Sequence, residues 1–194
     1  TGTLSGSYNS AEVAKKIYLE EHPNTNIHVI NSLSAGGEVD LIVRKLNQLV
    51  AEGLDFDQVL DGITAYQAKT KLLFVLAKVD NLVKNGRLSK LVGTVVGLLN
   101  IRMVGEASKT GTLELLQKAR GQKKAIKAAF DELIKAGYTG GHITIAHRNN
   151  DKFIEQFSAL VREKFAQASI EVLPTSGLCS FYAEEGGLLM GYEI

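Results

Sequence analysis

Two polar turns in this chain each lead into a helical pattern, and both carry groups able to hold an anion. The first is Leu4-Ser5-Gly6-Ser7-Tyr8-Asn9-Ser10-Ala11. Hydroxyls and a glycine sit where the helix begins. The first N–H groups of a helix have no intrahelical partner, and the helix dipole is positive at that end. Ser5 can donate its hydroxyl to a carboxylate, and Gly6, with no Cβ, lets a ligand come close to the backbone. The plain alternative is an N-cap, which serine supplies to many helices. The second turn is Asn31-Ser32-Leu33-Ser34-Ala35-Gly36-Gly37-Glu38, which follows a strand-like run. Open α/β sheets bind ligands at the carboxyl ends of their strands, so two such turns at one edge would form a polar pocket mouth.

Other candidate groups are weaker. Lys84-Asn85-Gly86-Arg87-Leu88-Ser89 places a charged residue in a turn beside a small-residue helix. Val92, Gly93, Val95, Val96, Gly97, Leu98 and Leu99 would form a smooth apolar surface, fit for an alkyl chain or for close helix packing. Lys118-Ala119-Arg120-Gly121-Gln122-Lys123-Lys124 is a basic cluster at a helix start, suited to a phosphate or simply to solvent. His22, His28, His142 and His147 show no metal-ligand spacing, so no metal is expected. His142 and His147 fall on opposite faces of one strand because their separation is odd. Cys179, in an apolar run read as a strand, is expected to be a buried, inert thiol. The chain has no GxxxxGK[ST], GxGxxG, HExxH, CxxC or GxSxG motif.

Composition bounds the function classes. The 194 residues are 45% hydrophobic and 22% charged, which is enough for a real core. Twenty-two Lys and Arg against 21 Asp and Glu give a net charge of +1. That balance argues against a nucleic-acid binder, which needs a basic stripe, and against disorder. No window reaches the roughly 18 uncharged apolar residues of a membrane span. Thr1 to Tyr8 is polar, without the apolar stretch of a signal peptide. The one cysteine excludes an internal disulfide or a zinc cluster. The cytoplasm is the expected compartment. Thr1 to Ser7 reads as the middle of a longer fold, so a preceding segment is expected.

The elements that must hold these residues alternate. A helix is predicted from Ser7 or Asn9 to His22-Pro23. Asn26 to Ile30 reads as a strand, Gly36 to Glu52 as a helix, and Asp55 or Asp57 to Lys69 as another. Lys71 to Ala77 is a continuous apolar run, as in a strand buried on both faces. Val79 to Asn100 reads as a glycine-rich helix. Ile101–Glu106 and Gly111–Ala119 form a hairpin around Ser108-Lys109-Thr110-Gly111. Helices follow at Gly121–Ala136 and Asp151–Ala166. Strands are expected at His142–His147, Ile170–Leu173, Gly177–Ala183 and Leu188–Tyr192, the last two joined around Glu184-Glu185-Gly186-Gly187. The class is α/β. The first segment looks parallel because its strands need crossovers, the second mixed or antiparallel. A soft boundary falls near Ala77, dividing 1–77 from 78–194.

In order and spacing these segments resemble the DegV family, the fatty-acid-binding (FakB-type) proteins. Leu4 to Ala11 resembles LSGTYxSA. Val29 to Gly37 resembles V-[IL]-D-S-x-x-x-S/A-G-G, with Asn31 in place of Asp. Gly86-Arg87-Leu88-Ser89 resembles GRIS, Leu98 to Arg102 resembles LLNIKP, and Arg120 to Ala125 resembles RGRKKA. The resemblance implies two α/β lobes around one long-chain fatty acid in an apolar tunnel, with the family's first strands preceding Thr1. It implies Ser5, with the Gly6 backbone beside it, as the carboxylate site. It implies Arg87 and Arg120 as candidates for head-group chemistry or kinase docking. One departure stands out: the family's GxHxGPG loop is replaced by Phe181-Tyr182-Ala183-Glu184-Glu185-Gly186-Gly187, without His.

The expected function is therefore a lipid carrier that presents a fatty-acid carboxylate to a separate fatty acid kinase. It needs no cofactor and is not itself an enzyme. Two alternatives remain open at this level. One is a small-molecule kinase- or hydrolase-like enzyme using Ser5 as nucleophile, although no His or Lys sits at a spacing that would activate it. The other is a regulatory interaction domain with a vestigial pocket.

Overall fold

The computed structural model describes residues 1–88 and 100–194. Ser89, in the GRIS-like turn, and the apolar residues Val92 to Leu99 lie outside the described residues. Helices are α1 (Gly6–Glu21), α2 (Gly37–Ala51), α3 (Phe56–Gln67), α4 (Asp80–Lys84), α5 (Gln122–Lys135), α6 (Asp151–Lys164) and α7 (Gly177–Ala183). Strands are β1 (Thr70–Leu76), β2 (Ile101–Ala107), β3 (Leu113–Arg120), β4 (His142–His147), β5 (Ser169–Pro174) and β6 (Leu188–Glu193). They form one sheet in the order β3-β2-β1-β6-β4-β5.

β1 sits near the centre and explains its own sequence. Leu73 and Val75 point into a core closed by α5 and α6, with Val104, Phe153, Phe157 and Met190. Leu72, Phe74 and Leu76 point to the other face, with Val79, Leu82, Ala183 and Leu189. Burial on both sides requires the uninterrupted apolar run. α2 covers β4 and β6 on this second face. It comes unusually close. A Cβ on Gly37 would fall on the backbone of Thr144 and Gly191, and a Cβ on Gly191 on the backbone of Glu38. α3 packs on α2 through Ile42, Leu49 and Ile63. Its start is held by a capping box in which Gln58 N–H donates to Asp55 Oδ1 at 2.9 Å and Asp55 N–H to Gln58 Oε1 at 3.1 Å.

The α/β class and the mixed sheet are as expected, but several elements differ. No parallel sheet forms before Ala77 among the described residues: β1 is antiparallel to both β2 and β6, and the parallel pair is β4 with β5. Asn26–Ile30 belongs to no described strand. A strand needs a backbone ladder, and β-branched composition cannot create one where no neighbouring strand is offered. The strand nearest the expected boundary at Ala77, β1, lies between β2 and β6, which come from after it. Gly177–Ala183 is helix α7, not a strand. Leu178, Phe181 and Tyr182 stand at i, i+3 and i+4, the spacing of one helix face, in a run short enough to pass for a strand. The link to β6 is accordingly a helix-to-strand turn and not a hairpin, with Glu184 at φ 53°. Cys179 is on a helix and only partly buried.

Candidate functional site

On the second face of the sheet the side chains leave a cavity of about 220 Å³. Its floor is alternate residues of β1, Leu72, Phe74 and Leu76, together with Leu189 of β6. Period-two alternation places these on one face, so the floor is wholly apolar. Leu82 of α4 and Ala183 of α7 form a wall. Leu178, 61% exposed, stands at the rim with Tyr182.

The polar side is built by the two turns. Ser5 is the N-cap of α1, and its Oγ accepts from Ser7 N–H at 3.3 Å. The first turn of α1 holds no acidic residue, so the positive end of its dipole is not neutralised by its own sequence. A Cβ on Gly6 would meet no protein atom within 4 Å, which leaves its backbone open to approach. Ser5 lines the cavity; Gly6 lies next to it and does not.

The turn at 31–37 is tied internally. Asn31 Oδ1 accepts from Gly2 N–H at 2.9 Å and Leu33 N–H at 3.3 Å. A side-chain carbonyl does this as a carboxylate would, so Asn31 serves where the family pattern has Asp. Ser34 N–H donates to Ser32 Oγ at 3.3 Å, and Ser32 Oγ donates to Ser34 O at 3.1 Å. Gly36, at φ 56°, lies against Leu189, where a Cβ would contact that side chain. The turn is thus clamped onto the cavity floor. Behind it, Glu38 is buried and accepts from Thr70 Oγ1 at 2.8 Å. Burial raises the Glu38 carboxyl above its ordinary value of 4.5, opposed by the hydroxyls of Ser34 and Thr70 and by the Lys71 charge.

Arg87 lines the same cavity as Ser5. Its guanidinium donates to Asn85 O at 2.7 Å and lies 5.7 Å from the Tyr182 ring centre. Arg120 is elsewhere. It ends β3 opposite Ile101, is exposed, and does not line the cavity. Of the four residues singled out in the sequence, the structure therefore brings Ser5 and Arg87 to one cavity, sets Gly6 beside it and leaves Arg120 outside. Sequence reasoning named neither Ser34 nor Cys179 as a cavity residue. The polar turn was the available signal for Ser34; for Cys179 the mistaken strand concealed it.

A cavity with an apolar floor and a helix start at its polar side suits a long amphiphile with an anionic end. A family profile described as "uncharacterised protein, DegV family" matches residues 1–192. The chain belongs to the DegV family. A DegV domain-containing protein of Streptococcus gordonii is 77% identical over 194 residues, all of this chain and 69% of that protein. Among solved structures, the Fatty Acid Kinase (Fak) B3 protein of Streptococcus pneumoniae, loaded with linoleic acid, is 75% identical. It superposes with a TM-score of 0.97, covering 100% of this chain and 69% of that one. A DegV family protein of Eubacterium eligens loaded with heptadecanoic acid is 38% identical, with a TM-score of 0.94 over 100% of this chain and 70% of that one. The DegV fold thus carries the cavity described here.

Proposed function

We propose that this protein is a cytoplasmic carrier that binds one long-chain fatty acid in the apolar cavity and presents its carboxylate to a separate fatty acid kinase. The observation that carries the reading is the apolar floor of Leu72, Phe74, Leu76 and Leu189 meeting Ser5 at the start of α1 within one cavity. Each buried CH₂ contributes about 0.8 kcal/mol, so an alkyl chain supplies the affinity and the polar side supplies orientation. Ser5 and the Gly6 backbone hold the carboxylate. Arg87 and Arg120 contact the kinase or the phosphorylated head group, Arg87 from the cavity rim and Arg120 from the outer surface. The relatives loaded with linoleic and heptadecanoic acid support the ligand class, and the kinase name of the first supports the partner.

The carrier reading is favoured over an enzyme that uses Ser5. Nucleophilic serine needs a neighbouring base. The described residues lining the cavity include no His, Lys, Asp or Glu. Ser5 Oγ is engaged as an acceptor from Ser7 N–H, the arrangement of a cap. Chemistry on the carboxylate therefore belongs to the kinase. No described helix is long and apolar enough to cross a membrane, which fits a carrier that meets its kinase in the cytoplasm. Lipid extraction and native mass spectrometry of the purified full-length protein test the proposal. A co-purified long-chain acid is expected. An empty cavity together with covalent labelling of Ser5 by a serine-directed probe would favour the enzyme; an empty, unreactive one would favour an interaction domain.

A further inference from the structure

One residue of the cavity floor owes its position to a side chain that its neighbour lacks. Phe74 of β1 stands directly opposite Gly105 of β2 in the antiparallel register, and so on the same face of the sheet. A Cβ on Gly105 would fall on the Phe74 ring, at Cζ and Cε2, and on the carbonyl oxygen of Glu114 in β3. The phenyl ring therefore leans across β2 and fills the volume that any other residue at 105 would claim for itself. The β2–β3 ladder shifts register between Val104 and Gly105, and a bulge at that point fits the close approach of Glu114. Leu76, the next residue on the same floor, is placed differently. It stands opposite Met103, whose side chain belongs to the same core cluster.

We propose that Phe74, seated on Gly105, determines the acyl-chain shape that the cavity takes: its ring closes the cavity on the β2 side, admitting a straight chain and turning away one that carries a mid-chain methyl branch. This rests on the fatty-acid reading above and specifies which acids that site holds. An alkyl chain draws its affinity from apolar surface buried along its length, and a close-packed wall admits an extra methyl group only where volume has been left for it. A branch directed at β2 meets a ring that cannot retreat, because the Gly105 backbone and the Glu114 carbonyl lie against it. Without the ring, Gly105 has no side chain to refill the space, so the void joins the acyl cavity. At Leu76 the flexible thioether of Met103 is on hand to close a gap.

The test is competitive titration of the delipidated full-length protein with stearate and 10-methylstearate. The wild type should prefer stearate by roughly tenfold, the size of one ill-fitting methylene in an apolar pocket. Phe74→Ala should weaken stearate binding and move the ratio of the two affinities about tenfold toward the branched acid. Phe74→Leu should move it the same way by less, and decides the question alone if the alanine variant does not fold. Leu76→Ala should weaken both acids alike. Equal wild-type affinities for the two acids overturn the proposal. So does an unchanged ratio in the Phe74 variants, which would make the ring plain core packing. An equal shift of the ratio in Leu76→Ala also overturns it, because selectivity would then not belong to the Phe74–Gly105 pair. A wild type that binds neither acid overturns the fatty-acid reading itself, and this inference with it.

Discussion

Ser5 combines two roles that are separable by measurement. Its Oγ accepts from Ser7 N–H as a cap, and the residue lines the cavity. Removing a hydrogen bond to a charged group costs about 1.5–3 kcal/mol. Ser5→Ala in the full-length protein should therefore weaken fatty-acid binding by roughly tenfold to a hundredfold. An unchanged dissociation constant in calorimetry would remove Ser5 from the site. Arg87 and Arg120 should behave differently. Alanine at either is expected to spare fatty-acid affinity while lowering acyl-phosphate formation by a cognate kinase, read as the rate at subsaturating carrier. Full turnover in both variants would reduce them to surface charges, a common fate of basic turn residues. Glu38 carries a pH signature. Its folded-state pKa is raised by burial, so over an interval of pH above 4.5 the folded protein binds more protons than the unfolded chain. Stability from this group is present below 4.5 and is lost as pH rises through the raised value. Glu38→Gln keeps an acceptor for Thr70 and removes the titration. Its urea midpoint should decline less than that of the wild type between mild acid and neutrality; parallel declines would show that Glu38 does not titrate in that window.

The decisive contact between elements is α2 on the sheet. Gly37 and Gly191 allow the helix start to touch β4 and β6 at backbone distance, and this sets the height of the 31–37 turn above the cavity floor. A methyl group at either position meets main chain, which cannot move aside as a flexible side chain would. Gly37→Ala or Gly191→Ala should therefore destabilise the protein by at least the 1–3 kcal/mol, roughly, of an overpacked core. It should also weaken ligand binding, because the turn that carries the wall residues Ser34 and Ala35 would be displaced from the cavity floor. Gly53 offers a contrasting site, since a Cβ there meets nothing within 4 Å. Its φ of 75° still disfavours alanine, but any loss at Gly53 should leave ligand affinity intact. Chemical denaturation and calorimetry on the three variants would show whether the close approach, and not glycine loss in general, governs the site.

At the scale of the whole molecule, the amino-terminal part is thinly supported. α1 has no buried residue, and Val13, Ile17 and Tyr18 are each about half exposed. Asn26–Ile30, rich in β-branched residues, joins no described strand. The S. gordonii relative, which matches along all of this chain, is longer, with 69% of it covered. We expect the 194-residue chain alone to bind palmitate and oleate poorly and to expose apolar surface to a hydrophobic dye, whereas the full-length protein binds tightly and does not. Submicromolar binding by the isolated chain would contradict this.

Much of the local structure was legible in the sequence, because it depends on neighbours along the chain. The capped start of α3 at Asp55, the 3.6-residue periodicity of α2, α5 and α6 and the uninterrupted run of β1 are local signals, whereas α1 is capped by Ser5 and not by Ser7 or Asn9. The motif order from Leu4 to Ala125 led to the family, and with it to Ser5 and Arg87. Pairing was not legible. Whether Asn26–Ile30 finds a ladder, and whether β1 runs parallel or antiparallel to its neighbours, depends on which backbones are brought alongside. The seven residues of α7 pass for a strand because so short an apolar run fits either period. Ser34 illustrates the same limit at the site. The sequence by itself determined that residues 31–38 form a polar turn before a helix. Only the tertiary structure decided that Ser34 of that turn is buried at the cavity wall beside the Glu38 carboxyl, because burial is set by distant segments that fold over it.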